Sequence, residues 1–419
     1  MTSRERIRAA LNHRQPDRVP VDFGASPVSG IAVGTVYRLR QTLGLDSPDD
    51  RVKVIEPYQM LGEIKEDLMK VLFSDCIGVM SDINRIGVPN DNWKEWTTFD
   101  GARVLVPGLF NTEPDKNDDI LQYPGGDRSV PPSFRMPGGG FYHDAIIRQK
   151  PIDDSALNPE DNLEEFGLIP DESLENQRKR IEWLYENTDY AIVYAMPGTS
   201  LGNVAAVPAP WLKDPKGIRD IEEWYASHVT RRDYINEVYE RQTDIAIENL
   251  PKVKEAMGNR IDIVYTTGSD YGSQNGPLYS PAMFRDLYKP HYKRICDWIH
   301  ANTTWKTMIH TCGGVRPIIN DIIEAGFDIL NPVQTSAAGM DPGELKEEFG
   351  DRIVFHGGGV ETQKTLPYGT PEEVYDEVSE RIRILNKGGG YIFNTIHNIQ
   401  ADVPVENILA MFRAVEESF

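Results

Sequence analysis

The sequence predicts an α/β fold, a (β/α)8 TIM barrel with an irregular β-rich insertion after its second strand. Three observations predict it. Eight short apolar runs recur along the 419 residues, and helical patterns separate most of them. No early run is followed by Gly-x-Gly-x-x-Gly, which weakens the dinucleotide version of the alternative, a doubly wound open sheet. Most of the His, Asn and Gln residues of the second half that do not read as surface fall where a strand ends, the rim that carries chemistry in a barrel. The expectation is a single domain over 1–419, with the insertion at about 95–172.

The elements follow in order. Residues 3–13 read as a capped amphipathic helix and 19–23 as the first strand. A polar helix near 35–43 and an amphipathic one over 59–72 lead to the second strand, 75–79. Proline, glycine and acidic residues then dominate, as in Glu113-Pro-Asp-Lys-Asn-Asp-Asp119 and Pro137-Gly-Gly-Gly140. A structureless loop of that length is improbable, so hairpins are expected there. Strands at 191–196, 261–266, 306–310, 327–330, 353–356 and 391–394 complete the set. Helices precede them at 173–187, 218–227, 231–256, 281–301, 315–325, 341–349 and 371–386, and a last one covers 405–418.

Composition narrows the function. A net charge of -21 argues against nucleic acid, whose phosphates it would repel. The sequence has no run of 18 apolar residues, so no membrane span is expected, and its start has no apolar signal-peptide core. Three cysteines cannot form a disulfide framework, and a reducing cytoplasm is the expected location.

The most informative stretch is Lys306-Thr-Met-Ile-His-Thr-Cys-Gly-Gly314. Residues two apart in a strand share a face, so His310 and Cys312 project together, a pairing that suits zinc. Packing at a strand end is the plain alternative. His397, carried to the same rim by the eighth strand, is the best third ligand, with Glu361 and Asp270 weaker; three protein ligands leave a position open. The other rim residues are Asp22, Asp82, Asn331, Gln334, His356, Asn394 and the stretch Gly268 to Gln274. Each has a structural reading beside it: Asp270 as a turn cap, His356 as a core histidine, glycines 357–359 as a tight turn. Cys76 and Cys296 read as packing, and His291 and His300 as helix surface. Tyr142 and His143 of the insertion could reach over the mouth. Gly198-Thr-Ser-Leu-Gly202 fits Gly-x-Ser-x-Gly, but Pro208 and Pro210 replace the helix a nucleophile elbow needs.

Four stretches resemble the uroporphyrinogen decarboxylase superfamily: Arg4 to Val21, Ser269-Asp-Tyr-Gly-Ser-Gln-Asn-Gly-Pro-Leu-Tyr-Ser-Pro281, His310-Thr-Cys-Gly313 and Pro404-Val-Glu-Asn-Ile408. The resemblance runs over nearly the whole chain. Asp22-Phe-Gly-Ala-Ser26 stands where true uroporphyrinogen decarboxylases carry an arginine-rich propionate grip, so the likeness is to the corrinoid-linked methyltransferase branch. That branch binds zinc through a His-x-Cys pair, matched by His310 and Cys312, and a later cysteine, where this sequence has His397.

The resemblance implies methyl transfer from a methoxylated or methylamine-type small molecule to the cobalt of a corrinoid, with zinc polarising the substrate. The chain lacks an Asp-x-His-x-x-Gly cobalamin signature, so the corrinoid is expected on a separate protein. Catalytic roles fall to Asp270, Gln274 and Asn394, substrate binding to Asp22, Tyr271, Asn331, Gln334, His356 and Glu361, and the metal to His310, Cys312 and His397. A homodimer is left open. A metal-independent decarboxylase or lyase on the same barrel is the alternative, and a binding protein without turnover is the next.

Overall fold

The computed structural model describes residues 1–47 and 49–419. Its centre is a parallel sheet of seven strands: β1 (Cys76–Val79), β2 (Ala191–Ala195), β3 (Ile263–Thr267), β4 (Lys306–His310), β5 (Ile329–Asn331), β6 (Val354–His356) and β7 (Tyr391–Ile392). They lie in chain order with helices between most of them, so each crossover packs back on the sheet and curls it. The segment 20–22 joins the two edges. Phe393 N donates to Pro20 O at 2.7 Å, and Asp75 N to Val21 O at 2.7 Å. The expected strand over 19–23 is thus reduced to one parallel bridge, Val21 to Phe393. Pro20 has no N–H to give, and Gly24 turns the chain away at φ +90°.

Alternation along the strands builds the interior. Met308, Ile329, Val354 and Ile392 pack in one inner cluster, whereas Ile309, Leu330, Phe355 and Phe393 belong to the larger core under the helices. Period-2 geometry therefore puts His310, Asn331, His356 and Asn394 on the inner side, one layer above those apolar residues. The floor is closed by the helix Ser3–Leu11, whose Ile7, Ala10 and Leu11 join the inner cluster. Thr2 and Glu5 form a capping box at its start.

Several expectations need correction. Residues 59–72 are not one helix: Leu61–Gly62 pairs with the strand Val52–Glu56, and only Glu66–Val71 is helical. A Cβ on Gly62 would stand 3.0 Å from Val33 Cα, so the strand depends on glycine to lie against the helix Val33–Thr42. The helix expected over 281–301 breaks at Tyr288 into Pro281–Leu287 and Lys289–Asn302, because Pro290 cannot donate back to the preceding turn. His291 is buried, not on the surface. The 95–172 region does form hairpins, but its strand Arg103–Val106 pairs in parallel with Val52–Glu56. The extra β-structure is therefore shared with residues that precede β1. His143 does not reach the mouth. It is buried in that region, with Nδ1 3.0 Å from the Pro57 carbonyl oxygen.

Candidate metal centre and adjoining cavity

The register sets the site. His310 pairs with Asn331 across β4 and β5, and Leu330 with Phe355 across β5 and β6, so His310, Asn331 and His356 stand side by side at the strand ends. Asn331 Oδ1 accepts from His310 Nδ1–H at 2.6 Å, and Asn331 Nδ2 donates to His356 Nδ1 at 2.6 Å. The amide orientation is fixed independently, since Nδ2 also lies 3.2 Å from the His356 carbonyl oxygen, which can only accept. With its Nδ1 accepting, His356 carries a proton on Nε2 and donates it to Asp22 Oδ2 at 2.9 Å. Asn394 Nδ2 holds the Asp22 carbonyl oxygen. The buried polar layer is thereby bonded throughout, as burial demands.

The outcome for His310 is a defined tautomer. Its Nδ1 is committed to Asn331, and its Nε2 lone pair points to Cys312 Sγ, 3.5 Å away. His397 completes the group: one donor atom from each of His310, Cys312 and His397 lies within 4.8 Å of the others. Cys312 and His397 keep part of their surface accessible, so the group is open on one side. Burial pushes the Cys312 thiol well up, and the Asp270 carboxylate adds to this. Burial, helped by His310, pushes His397 down to about 3, so it stands ready as a neutral ligand. Two neutral imidazoles and one thiol that a cation would deprotonate form a donor set that suits zinc, with an orienting partner of the kind metal-bound histidines have.

The remaining expected residues divide. Asp270 is beside the trio: its Oδ1 accepts from Cys312 N at 2.8 Å and lies 3.9 Å from His310 Nε2. Gln334 is next to it, accepting from Gly313 N at 2.7 Å and donating to Gln274 Oε1 at 2.7 Å; the exposed Gln274 reaches on to Gln363. Tyr271 turns the other way. Its hydroxyl is 2.6 Å from that of Tyr292, in a buried aromatic group with Phe284 and Tyr288. Glu361 Oε1 accepts from Gln363 N at 2.8 Å, and among the described residues it forms no hydrogen bond or ion pair with the trio. Gly357, at φ +90°, makes room for Asn331: a Cβ there would stand 3.4 Å from Asn331 Nδ2 and 2.9 Å from the Thr395 carbonyl oxygen. In Gly198-Thr-Ser-Leu-Gly202, Ser200 Oγ accepts from Gly268 N at 3.1 Å, and the chain runs on through turns with no helix.

A cavity of about 970 Å³ opens beside this layer, with Phe23, Gly24, Met196 and Tyr265 in its wall. Tyr265 is the register neighbour of Met308 and belongs to the inner cluster. The trio itself does not line this space, but Arg85, which does, adds a minor lowering of the His310 pKa behind burial and His356, and it acts on Tyr265 as well. Sequence reasoning missed Arg85. It lies in the loop after β1, where the rim inventory stopped at Asp82.

A barrel-like α/β scaffold with a His/Cys/His group on its rim is what fold and site define together. The family profile described as uroporphyrinogen decarboxylase (URO-D) matches residues 206–418, just over half of the chain, and the chain belongs to that family. Its curated relatives include the uroporphyrinogen decarboxylase of Psychromonas ingrahamii, 36% identical over 78 residues, 19% of this chain and 21% of that one. That of Pelobacter propionicus is 23% identical over 222 residues, 53% of this chain and 60% of the relative. The methylcobamide:CoM methyltransferase MtaA of Methanosarcina barkeri is 23% identical over 212 residues, 51% and 56% of the two chains. The chain thus spans between 21% and 60% of the length of these relatives. A solved methyltransferase from Methanosarcina mazei matches with a TM-score of 0.56 and 17% identity, covering 100% of this chain and 99% of its own, which shows a shared fold. Among the described residues, no helix is long and apolar enough to cross a membrane.

Proposed function

We propose that the protein is a corrinoid-linked methyltransferase, moving a methyl group between a small molecule and the cobalt of a separate corrinoid protein. The observation that carries this reading is the convergence of His310, Cys312 and His397 on one open point, with the His310 tautomer set by Asn331. The kinship to MtaA supports it. His310 Nε2, Cys312 Sγ and a ring nitrogen of His397 would hold a zinc ion. When bound, zinc supplies a Lewis acid for a substrate heteroatom or stabilises a thiolate.

The chain's own residues do the rest. Asn331 keeps the His310 proton on Nδ1, and the His356–Asp22 pair keeps Asn331 in place. Asp270, one-third exposed beside the trio, is placed to accept a proton or a donor group from substrate. A histidine in place of a thiolate leaves less negative charge on the metal, which favours polarising an oxygen or nitrogen substrate over activating a thiol. A methoxylated or methylamine-type donor is therefore proposed. Gln274 and Gln334, linked across the rim, would orient it.

The reading is tested by supplying a corrinoid protein and following the cobalt absorption with a panel of methoxylated and methylated amines. Methylation of cobalt that depends on Cys312 and His397 supports it, and its absence across the panel defeats it. A metal-independent decarboxylase is the second reading, favoured by the decarboxylases among the relatives. It expects turnover of a small carboxylated compound to survive Cys312→Ser.

A further inference from the structure

His310 and Cys312 are neighbours in the trio but are held by different means. His310 ends β4, and the sheet's last grip on this segment is Thr311 N donating to the Asn331 carbonyl at 2.7 Å. The next three N–H groups go to other loops. Cys312 N donates to Asp270 Oδ1 at 2.8 Å, Gly313 N to Gln334 Oε1 at 2.7 Å and Gly314 N to the Ser273 carbonyl at 2.8 Å. Gly313, at φ +91°, lies against the loop of Ser273: a Cβ there would stand 2.3 Å from Gly272 C. The place of the sulfur is therefore set by loop contacts, not by strand register.

Of the two side-chain acceptors, Gln334 is the buried one, 7% exposed, and it is braced in turn. Its Nε2 donates to Gln274 Oε1 at 2.7 Å, and Gln274 Nε2 donates to Gln363 Oε1 at 2.9 Å. A backbone N–H can only donate, so Gly313 fixes the orientation of the Gln334 amide, and Gln334 fixes that of Gln274. The far end is anchored too, since Gln363 N donates to Glu361 Oε1 at 2.8 Å, and Ala338 N donates to the Gln274 carbonyl at 2.9 Å. Three glutamines thus tie the loops after β3, β5 and β6 to the turn that carries Cys312. Gln334 uses its oxygen and an N–H within this chain, so it acts on the chemistry through Cys312. Gln274, exposed at the rim, is the member left to face a substrate.

We infer that Gln334 is a positioning residue for Cys312: by holding Gly313 N–H it presents Cys312 Sγ to the point shared with His310 and His397. The inference rests on the reading of the trio as a zinc site. It adds that the fold sets the sulfur in place before a metal arrives, so that metal binding has no turn left to order.

The test puts cobalt(II) in place of zinc, because a thiolate on cobalt gives a charge-transfer band and imidazoles give ligand-field bands alone. The whole protein is titrated with cobalt(II) as wild type, as Gln334→Met, which fills similar space without the amide, and as Gln334→Glu, which still accepts from Gly313 N. Gln334→Met should weaken cobalt binding about tenfold or more and lose charge-transfer intensity. Its ligand-field bands should persist, which reports a folded site, and Gln334→Glu should keep most of both signals. Gln274→Met, which removes only the brace, should show a smaller loss of the same kind. In metal-free protein, amide hydrogen exchange of residues 311–315 should quicken in Gln334→Met and not in Gln334→Glu. An unchanged charge-transfer band in Gln334→Met, an equal loss in Gln334→Glu, or exchange at the wild-type rate would overturn the inference. The two readings fail separately: wild type that takes up no cobalt defeats the metal reading, and the exchange rates then decide the role of Gln334 by themselves.

Discussion

Asn331 joins His310 to His356, accepting from the first at 2.6 Å and donating to the second at 2.6 Å. The amide thereby turns a ligand tautomer into a property of the barrel. Replacing it with leucine leaves His310 Nδ1–H without an acceptor and frees the ring to flip. Loss of such an orienting partner weakens metal binding about 10–100-fold. Zinc competition with a chromophoric chelator should read that loss for Asn331→Leu. Asn331→Asp, which still accepts from His310, should lose less. Equal zinc affinity for wild type and Asn331→Leu would remove the amide from the account.

How much of this was legible in the sequence follows from period. His310, Asn331, His356 and Asn394 were placed together because each ends a short apolar run, and a strand's alternation then does the rest. Tyr271 shows where that rule stops. It lies in the loop beyond the end of β3, where strand alternation no longer decides which way a side chain faces, and it packs into the tyrosine group with Tyr288 and Tyr292. The small sheet was hidden because Val52–Glu56 finds its parallel partner, Arg103–Val106, about fifty residues on, beyond any local signal. Arg85 was missed although the rim rule covers its position, because a lone arginine in a loop reads as surface until the cavity around it is seen.

Gly357 offers a structural test of the same layer. At φ +90°, with the Thr395 carbonyl oxygen 2.9 Å from any Cβ, it tolerates no larger residue without movement. Gly357→Ala should destabilise the fold by about 1–3 kcal/mol, from the left-handed backbone and the close contact. Chemical denaturation would measure it. The displaced Asn331 amide should lower zinc affinity in the protein that remains folded, and unchanged stability and unchanged zinc affinity together would contradict the packing described.

Two histidines outside the site give the protein a pH limit. His143 and His228 are both pushed down to about 4 by burial. His228 Nδ1–H donates to the Trp224 carbonyl at 2.9 Å and its Nε2 accepts from the Tyr288 hydroxyl at 2.6 Å, so the neutral ring is the bonded one. Below an unfolded pKa of about 6.5 the unfolded chain binds these protons first. Stability is therefore complete above that pH and falls as pH drops from about 6.5 toward 4, by on the order of 3 kcal/mol per histidine at the lower end. Urea midpoints for wild type and a His143→Gln/His228→Gln variant, followed over this window, isolate the effect. The variant should have the flatter profile, and parallel profiles would refute the assignment.

The central claim is that His310, Cys312 and His397 hold a metal together. It is tested most directly by zinc content, measured by atomic emission on purified wild type, His310→Ala, Cys312→Ala and His397→Ala proteins exposed to the same limiting zinc. The account predicts about one zinc per wild-type chain and a loss of most of it in each variant, His397→Ala included. Full zinc in His397→Ala, or none in the wild type after zinc is supplied, would contradict it.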